Sequence, residues 1–379
     1  MKILYVSKAQ IPSNMASSIQ IMKMCEAFAE NGHDVTLLIP SKKNREYANM
    51  EEDIYKFYNV KKIFKVKKFP PIKFPLKILT NDISYALLCL KYAKRFNYDL
   101  IYSRDIISST LLAYFGFSVR IELHNKLPKR KQRFFFNLLK RSKNLKKIIF
   151  ISNKLKEYYL NNYKIDKNNI IVAPSAASIP TTLKRKNLSV KYSGILQVGY
   201  IGNLYVGKGI ELIIKLASKM PEIDFHIVGG TKKEVNFWRN KTNSTNIYFH
   251  GFINQTNISD YINAMDVCLL PNQKIVISSV FKNNGEETYL ENFGDITSPL
   301  KMFQYMAHKK PIVASDLPVI REVLNENNAI LSPPDNIDKW VDAINILKDK
   351  NLRSLIANRA YNDFIKKYTW DIRAKKVLL

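Results

Sequence analysis

Cysteine is scarce in this chain of 379 residues: only Cys25, Cys89 and Cys268 occur. They stand far apart in apolar surroundings. That fits neither a zinc motif nor a disulfide framework, so buried thiols in a reducing compartment are expected. Long apolar runs are missing too. No stretch reaches the roughly 18 apolar residues that a spanning helix needs. The opening MKILYVSKAQIPS is too short in its apolar part for a signal peptide and reads as a first strand. Glycine is thin at the start, with Gly32 the only one before Gly116. The G-x-G-x-x-G turn of a dinucleotide fold therefore cannot follow the first strand, and a nicotinamide cofactor is not expected there. Acids are few: 32 Asp and Glu stand against 60 Lys and Arg, a net charge of +28. Such a surplus implies an anionic partner, whether nucleic acid, an anionic membrane face or a phosphorylated substrate.

What is present reads as α/β. The length argues for two domains. Lys2 to Ser7 is a hydrophobic strand, and Ile21, Met24, Cys25, Phe28 and Ala29 mark one face of a helix that stops at Gly32. A second strand runs from Asp34 to Ile39. Strand, helix and strand in so short a span require a parallel sheet. Asp99–Ser103 and Val119–Leu123 are further strands, followed by Arg104-Asp105 and His124-Asn125. Sites in open α/β sheets lie just past such strand ends. Arg104 suits an anionic acceptor group, or pairs with Asp105. Strands at Lys147–Ser152 and Asn169–Ala173 close the first domain, and the polar stretch 174–193 reads as a linker.

From Gly194 the texture changes, with eight of the twelve glycines between Gly194 and Gly251. A strand, Leu196–Ile201, runs into Gly202-Asn203-Leu204-Tyr205-Val206-Gly207-Lys208-Gly209 and then a helix. Glycines there let backbone N–H groups approach a phosphate, and Lys208 adds a point charge. Farther on, Thr297-Ser298-Pro299 opens a helix whose apolar face is Leu300, Phe303, Met306 and Ala307. Ser298 suits its N-cap and Pro299 its first turn, and the helix start would hold an anion. Two stretches carry the charge. Val60–Leu79 has seven lysines and no acid, and Lys126–Lys156 has twelve Lys or Arg and no acid around Phe134-Phe135-Phe136. Basic residues among phenylalanines suit an anionic leaflet or RNA; the phenylalanines could equally be a buried helix face.

SPLKMFQYMAHKKPIVASDLPVIREVL, starting at Ser298, resembles the donor-site segment of family 4 glycosyltransferases. Gly32-His33-Asp34-Val35 resembles the G-H-x-V of their acceptor domain, and Lys208-Gly209 their phosphate loop. The resemblance implies a GT-B fold: α/β, two Rossmann-like domains facing across a cleft. The expected domains are 1–175 on the acceptor side and 194–365 for the nucleotide sugar, with 366–379 a helix packing back on the first. It also implies roles. Gly202, Asn203, Lys208, Gly209, Thr297, Ser298, Pro299 and Leu300 would hold the diphosphate, Gln304 the ribose, and Gly229 and Phe252 the base. His124 and Asp295 would be catalytic, and Ser17 and Arg104 would face the acceptor. Three departures stand out. The family often has arginine where this chain has Asn203. Its paired glutamates fall on Ile296 and Gln304, with Asp295 one residue away. Its acceptor-loop glycine pair is replaced by Ser13-Asn14-Met15-Ala16-Ser17-Ser18.

The expected activity is therefore retaining transfer of a sugar from a nucleotide-sugar donor to a glycan or lipid-linked acceptor, in bacterial-type surface polysaccharide assembly. No cofactor or metal is expected, because helix N-termini and Lys208 can offset the leaving diphosphate. An anionic membrane surface on the cytoplasmic side is the expected partner, rather than nucleic acid. A nucleotide-sugar epimerase of the same fold and a non-catalytic polyanion-binding protein are the alternatives.

Overall fold

The computed structural model describes residues 1–41, 53–69, 81–182, 184–188, 195–277, 290–291 and 293–379. The first part of the chain runs β1 (Lys2–Val6), α1 (Ala16–Glu30), β2 (Asp34–Pro40), α2 (Ile54–Phe57), β3 (Lys65–Phe69), α3 (Asn81–Phe96), β4 (Leu100–Ser103), α4 (Ile106–Tyr114), β5 (Val119–Leu123), α5 (Arg130–Leu139), β6 (Leu145–Phe150), α6 (Asn153–Asn162) and β7 (Ile170–Val172). The second runs β8 (Gln197–Ile201), α7 (Ile210–Lys219), β9 (Asp224–Val228), α8 (Lys232–Arg239), β10 (Ile247–Gly251), α9 (Ile258–Ala264), β11 (Val267–Leu270), a short hairpin β12 (Val276–Ile277) and β13 (Leu290–Glu291), α10 (Leu300–Ala307), β14 (Ile312–Ser315), β15 (Ile330–Ser332), α11 (Ile337–Ile346) and α12 (Lys350–Lys367). The last helix is α13 (Trp370–Leu378).

Two compact units result, both Rossmann-like. Met1–Pro174 together with Trp370–Leu379 forms one, and Ser175–Thr369 the other. The first holds a seven-stranded sheet in the order β3-β2-β1-β4-β5-β6-β7. The second holds a six-stranded sheet ordered β10-β9-β8-β11-β14-β15. All strands within these two sheets pair in parallel. Ile3, Leu4, Tyr5 and Val6 show why: each is fully buried, the unbroken apolar run of a strand covered on both faces. In each sheet the winding reverses at one point, between β1 and β4 in the first and between β8 and β11 in the second. Such switch points leave a crevice at the carboxyl ends of their strands.

The stretch 174–193 does not behave as a free linker where it is described. Ser175 N–H donates to Ser298 Oγ at 2.8 Å, and Asn263 Nδ2 donates to the carbonyls of Thr182 and Lys184. Lack of periodicity marked it as irregular, not as detached. The lysine-rich stretch 60–79 contributes β3, an edge strand bearing Lys65, Lys67 and Lys68; lysines on an edge discourage pairing with another chain. Its residues 70–79 lie outside the described residues, as do Glu286 and Glu287. On α5, Phe136 and Leu139 are core, while Phe134 stays 59% exposed beside exposed Lys129 and Arg130. The phenylalanine cluster is therefore split between interior and surface. Cys25, Cys89 and Cys268 are free and buried. Among the described residues no helix is long and apolar enough to cross a membrane.

Candidate active site

In the second unit the switch point is built by close approaches of backbone. Gly209 begins α7 at φ 90°, and a Cβ there would lie 2.1 Å from the Pro271 carbonyl oxygen at the end of β11. At Gly229, φ 121°, a Cβ would lie 2.2 Å from the Gly202 carbonyl oxygen. Only glycine permits both the dihedral and the contact. Gly202 N–H donates to Val228 at 2.9 Å and Gly229 N–H to Gly251 at 2.7 Å, so the turns after β8, β9 and β10 are tied in series.

Two lysines stand over this turn. Lys208 is half-buried, forms no ion pair among the described residues, and is pushed down to about 8 by burial. Lys301, in the first turn of α10, has a buried ammonium nitrogen with no hydrogen-bond partner among the described residues. That nitrogen lies 3.5 Å from the centroid of the Tyr200 ring. Burial, and then the neighbouring Lys208, push Lys301 well below the ordinary lysine range. Tyr200 Oη in turn donates to the Asn203 carbonyl at 2.8 Å.

α10 is seated by its buried Met302, Phe303, Tyr305, Met306 and Ala307, and the Ile201 N–H donates to Tyr305 Oη at 2.8 Å. Its start differs from the expectation. Pro299 is extended at φ −67° and ψ 122° and is itself the cap residue, with no side chain bonded to the first helical N–H groups. Ser298 does not cap the helix because its hydroxyl accepts the Ser175 N–H. The helix start thus keeps uncapped donors and the positive end of its dipole beside Lys301. Thr297 and Leu300 flank this start, and half-buried Gln304 follows Leu300 by one turn on the same face. Asp295 closes a short 3-10 turn, Phe293–Asp295, next to Ile296, which is core at 4% exposure. Phe252 follows β10, half-buried.

The first unit has a second polar cluster, at the carboxyl end of β5. Glu122 is buried and accepts from four side chains: Arg373, Gln20, Tyr102 and His124. Burial alone would raise its carboxyl. The Arg373 guanidinium and His124 outweigh that and hold it well below the usual range. His124 Nε2 lies 2.5 Å from Glu122 Oε1. Burial, reinforced by the Arg104 guanidinium, pushes His124 down to about 4, so it is neutral near pH 7. Next to an ionised carboxylate, Nε2 carries the proton and donates, which leaves Nδ1 as an acceptor. Arg104 Nη1 donates to the Ser17 carbonyl at 3.2 Å, bringing together the two residues expected on the acceptor side. Arg104 does not pair with Asp105. Asp105 caps α4 through the Ser108 N–H and forms an ion pair with Lys8 at 2.8 Å.

Three participants escaped sequence reasoning. Lys301 stands inside the quoted donor segment, but periodicity alone makes it one more surface lysine. Glu122 reads as a polar break in an apolar strand. Arg373 lies 251 residues beyond Glu122, with no local pattern linking them. Among the described residues no group of three or more His, Cys, Asp or Glu could hold a metal ion.

Comparison with known proteins bears on the family and the fold. Residues 196–349 match the family model for glycosyl transferases group 1, and residues 18–177 the model for glycosyltransferase family 4. An uncharacterized glycosyltransferase of Methanocaldococcus jannaschii is 25% identical over 242 residues, covering 60% of this chain and 56% of that protein. The chain thus spans little more than half the length of that relative. Among solved structures, HepE of Anabaena in complex with UDP and glucose superposes with a TM-score of 0.72 at 14% identity, covering 100% of this chain and 98% of that one. Sucrose-phosphate synthase from Thermosynechococcus elongatus gives 0.69 at 16% identity, over 99% and 96%. A glycosyltransferase from Rickettsia africae gives 0.71 at 16%, over 100% and 96%. With both units matched, each by its own model, the chain belongs to the group 1, family 4 glycosyltransferases of the GT-B fold.

Proposed function

We propose that this protein transfers a sugar from a nucleotide-sugar donor to a glycan or lipid-linked acceptor, with retention at the anomeric carbon, in surface polysaccharide assembly. The observation that carries the reading is the turn 202–209, whose half-buried Lys208 has no carboxylate partner among the described residues and which lies beside the uncapped start of α10. Buried cationic and N–H donors without an acid partner suit a diphosphate. In the reaction the bond from the anomeric carbon to the diphosphate oxygen breaks and one to the acceptor oxygen forms. Charge grows on the leaving oxygen, where Lys208 and the α10 N–H groups offset it without a metal. The acceptor hydroxyl gives its proton to the departing diphosphate oxygen. His124 offers its unprotonated Nδ1 to a sugar hydroxyl, and Gln304 offers an amide to the ribose. HepE was solved with UDP, so UDP-sugars head the candidates.

The acceptor is proposed to lie at an anionic membrane, approached from the cytoplasmic face. Lys129, Arg130 and Phe134 are exposed at the start of α5, and Tyr114 and Phe115 are exposed at the end of α4, which packs on α5 through the Thr110 hydroxyl bond to the Phe135 carbonyl and the Tyr114 hydroxyl bond to the Leu138 carbonyl. Exposed aromatic and basic side chains on one pair of helices suit a leaflet surface. The test is a panel of nucleotide sugars, scored by the rise in melting temperature and then by transfer to lipid-extracted acceptors. One donor class should stabilise the protein, since a ligand of the folded state does so by mass action. Stabilisation by none of them, or conversion of the sugar without an acceptor, overturns the reading.

A further inference from the structure

The second cation of the turn has no counterpart in the roles assigned so far. Where the family often carries arginine, this chain has Asn203, which leaves Lys208 as the one charged residue within 202–209. Lys301 enters the same space from another element. Its ammonium nitrogen lies 3.0 Å from where a Gly202 Cβ would be, and 3.5 Å from the Tyr200 ring centroid. Through Tyr200 Oη and the Asn203 carbonyl it is two contacts removed from position 203. The carboxylate closest in sequence, Glu211, is engaged by the Gly207 N–H and forms an ion pair with neither lysine. A buried ammonium over an aromatic face, with no hydrogen-bond acceptor among the described residues, is costly in the empty protein. It is satisfied when an anion arrives.

We propose that Lys301 is a donor-binding residue: it contacts the diphosphate of the nucleotide sugar from the α10 side and takes the place of the missing arginine at position 203. This rests on the reading of the turn as the donor diphosphate site. Tyr200 acts as a positioning residue, holding the lysine stem and its charge toward Gly202. The arrangement fits a diphosphate better than a monophosphate, because two cations come from two different elements, α10 and the turn after β8.

The experiment compares the parent with Lys301→Met, Lys301→Gln, Lys208→Ala and the double variant Lys301→Met/Asn203→Arg by isothermal titration. Probes are UDP, GDP, ADP, CDP and inorganic pyrophosphate, each nucleotide paired with its nucleoside. Lys301→Met should weaken the preferred nucleoside diphosphate by about 10-fold or more, the scale of one charge-assisted hydrogen bond, and leave the nucleoside unchanged. Its melting temperature without ligand should hold or rise, because an unpaired buried charge is gone. Asn203→Arg should recover most of the lost affinity. If Lys301→Met and Lys301→Gln both bind as the parent does while Lys208→Ala is weakened, Lys301 has no such role and the diphosphate site stands. If Lys208→Ala is also unaffected, or the parent binds none of the probes, the reading of the turn falls with it.

Discussion

Arg373 and Glu122 form a two-point ion pair inside the first unit, with Nη2 3.0 Å from Oε1 and Nη1 3.2 Å from Oε2. Both are buried, at 2% and 1% exposure. The guanidinium is held further by the Pro174 carbonyl at 2.7 Å and the Ala173 carbonyl at 3.2 Å. Removing one member leaves the other charged and buried, which costs about 3–5 kcal/mol. Arg373→Met should therefore lower the unfolding free energy, read from urea titration, by that amount, and the Arg373→Met/Glu122→Gln pair should lose much less than the sum of the two singles. Additive losses would mean that the pair is not coupled.

Lys208 ties donor affinity to pH. Its folded, ligand-free value is about 8, below an ordinary lysine, and a bound diphosphate favours the charged form. Below that value the Lys208 ammonium is already present and adds no pH dependence of its own. As pH rises through about 8, binding must take up a proton and affinity should fall. Lys208→Ala should weaken donor binding by about 1.5–3 kcal/mol and make the pH dependence shallower. Titration calorimetry in buffers of different ionisation enthalpy checks both; no proton uptake at pH 9 in the parent contradicts the account.

Gln304 keeps one carbonyl acceptor and gains two N–H donors relative to a glutamate. If it holds ribose, Gln304→Ala should cost about 1 kcal/mol of donor affinity, and Gln304→Glu should bind as well or better. Equal affinity of Gln304→Ala and the parent for every nucleotide sugar would leave the residue a bystander.

Membrane binding should depend on α5. Lys129→Ser, Arg130→Ser and Phe134→Ala together should release the protein from phosphatidylglycerol vesicles, with about fivefold lost per basic residue. Arg133 is left in place because its guanidinium holds the Leu127 and Pro128 carbonyls. Co-sedimentation that is unchanged at low salt would move the membrane face elsewhere.

His226 makes stability fall in acid. Burial, followed by the neighbouring His250, lowers it to about 3, while an unfolded histidine titrates near about 6.5. Between those values the unfolded chain binds the proton and the folded one does not, so stability drops as pH falls from about 6.5 toward 3, by up to about 1.4 kcal/mol per pH unit. Urea midpoints at pH 7 and pH 5 should differ less in His226→Gln than in the parent.

The strands and their parallel pairing were legible because each is a short apolar run bounded by polar or glycine residues, as at Lys2–Val6 and Gln197–Ile201. The turns after β8 and β9 were legible because left-handed backbone demands glycine at Gly209 and Gly229, and so leaves a mark in the sequence. β3 was not, since a strand of alternating lysines at a sheet edge looks like a charge run. Neither was the environment of His124. A buried ion pair leaves no periodic trace, and the partner that sets the histidine's proton is reached only through the fold.

The return of α13 also sets an order of events during synthesis. Glu122 is made early, and its counter-charge Arg373 only after the whole of Ser175–Thr369. Until Arg373 is made, Glu122 has Gln20, Tyr102 and His124 against it but not that guanidinium. The first unit therefore reaches its final packing only after the second has been synthesised.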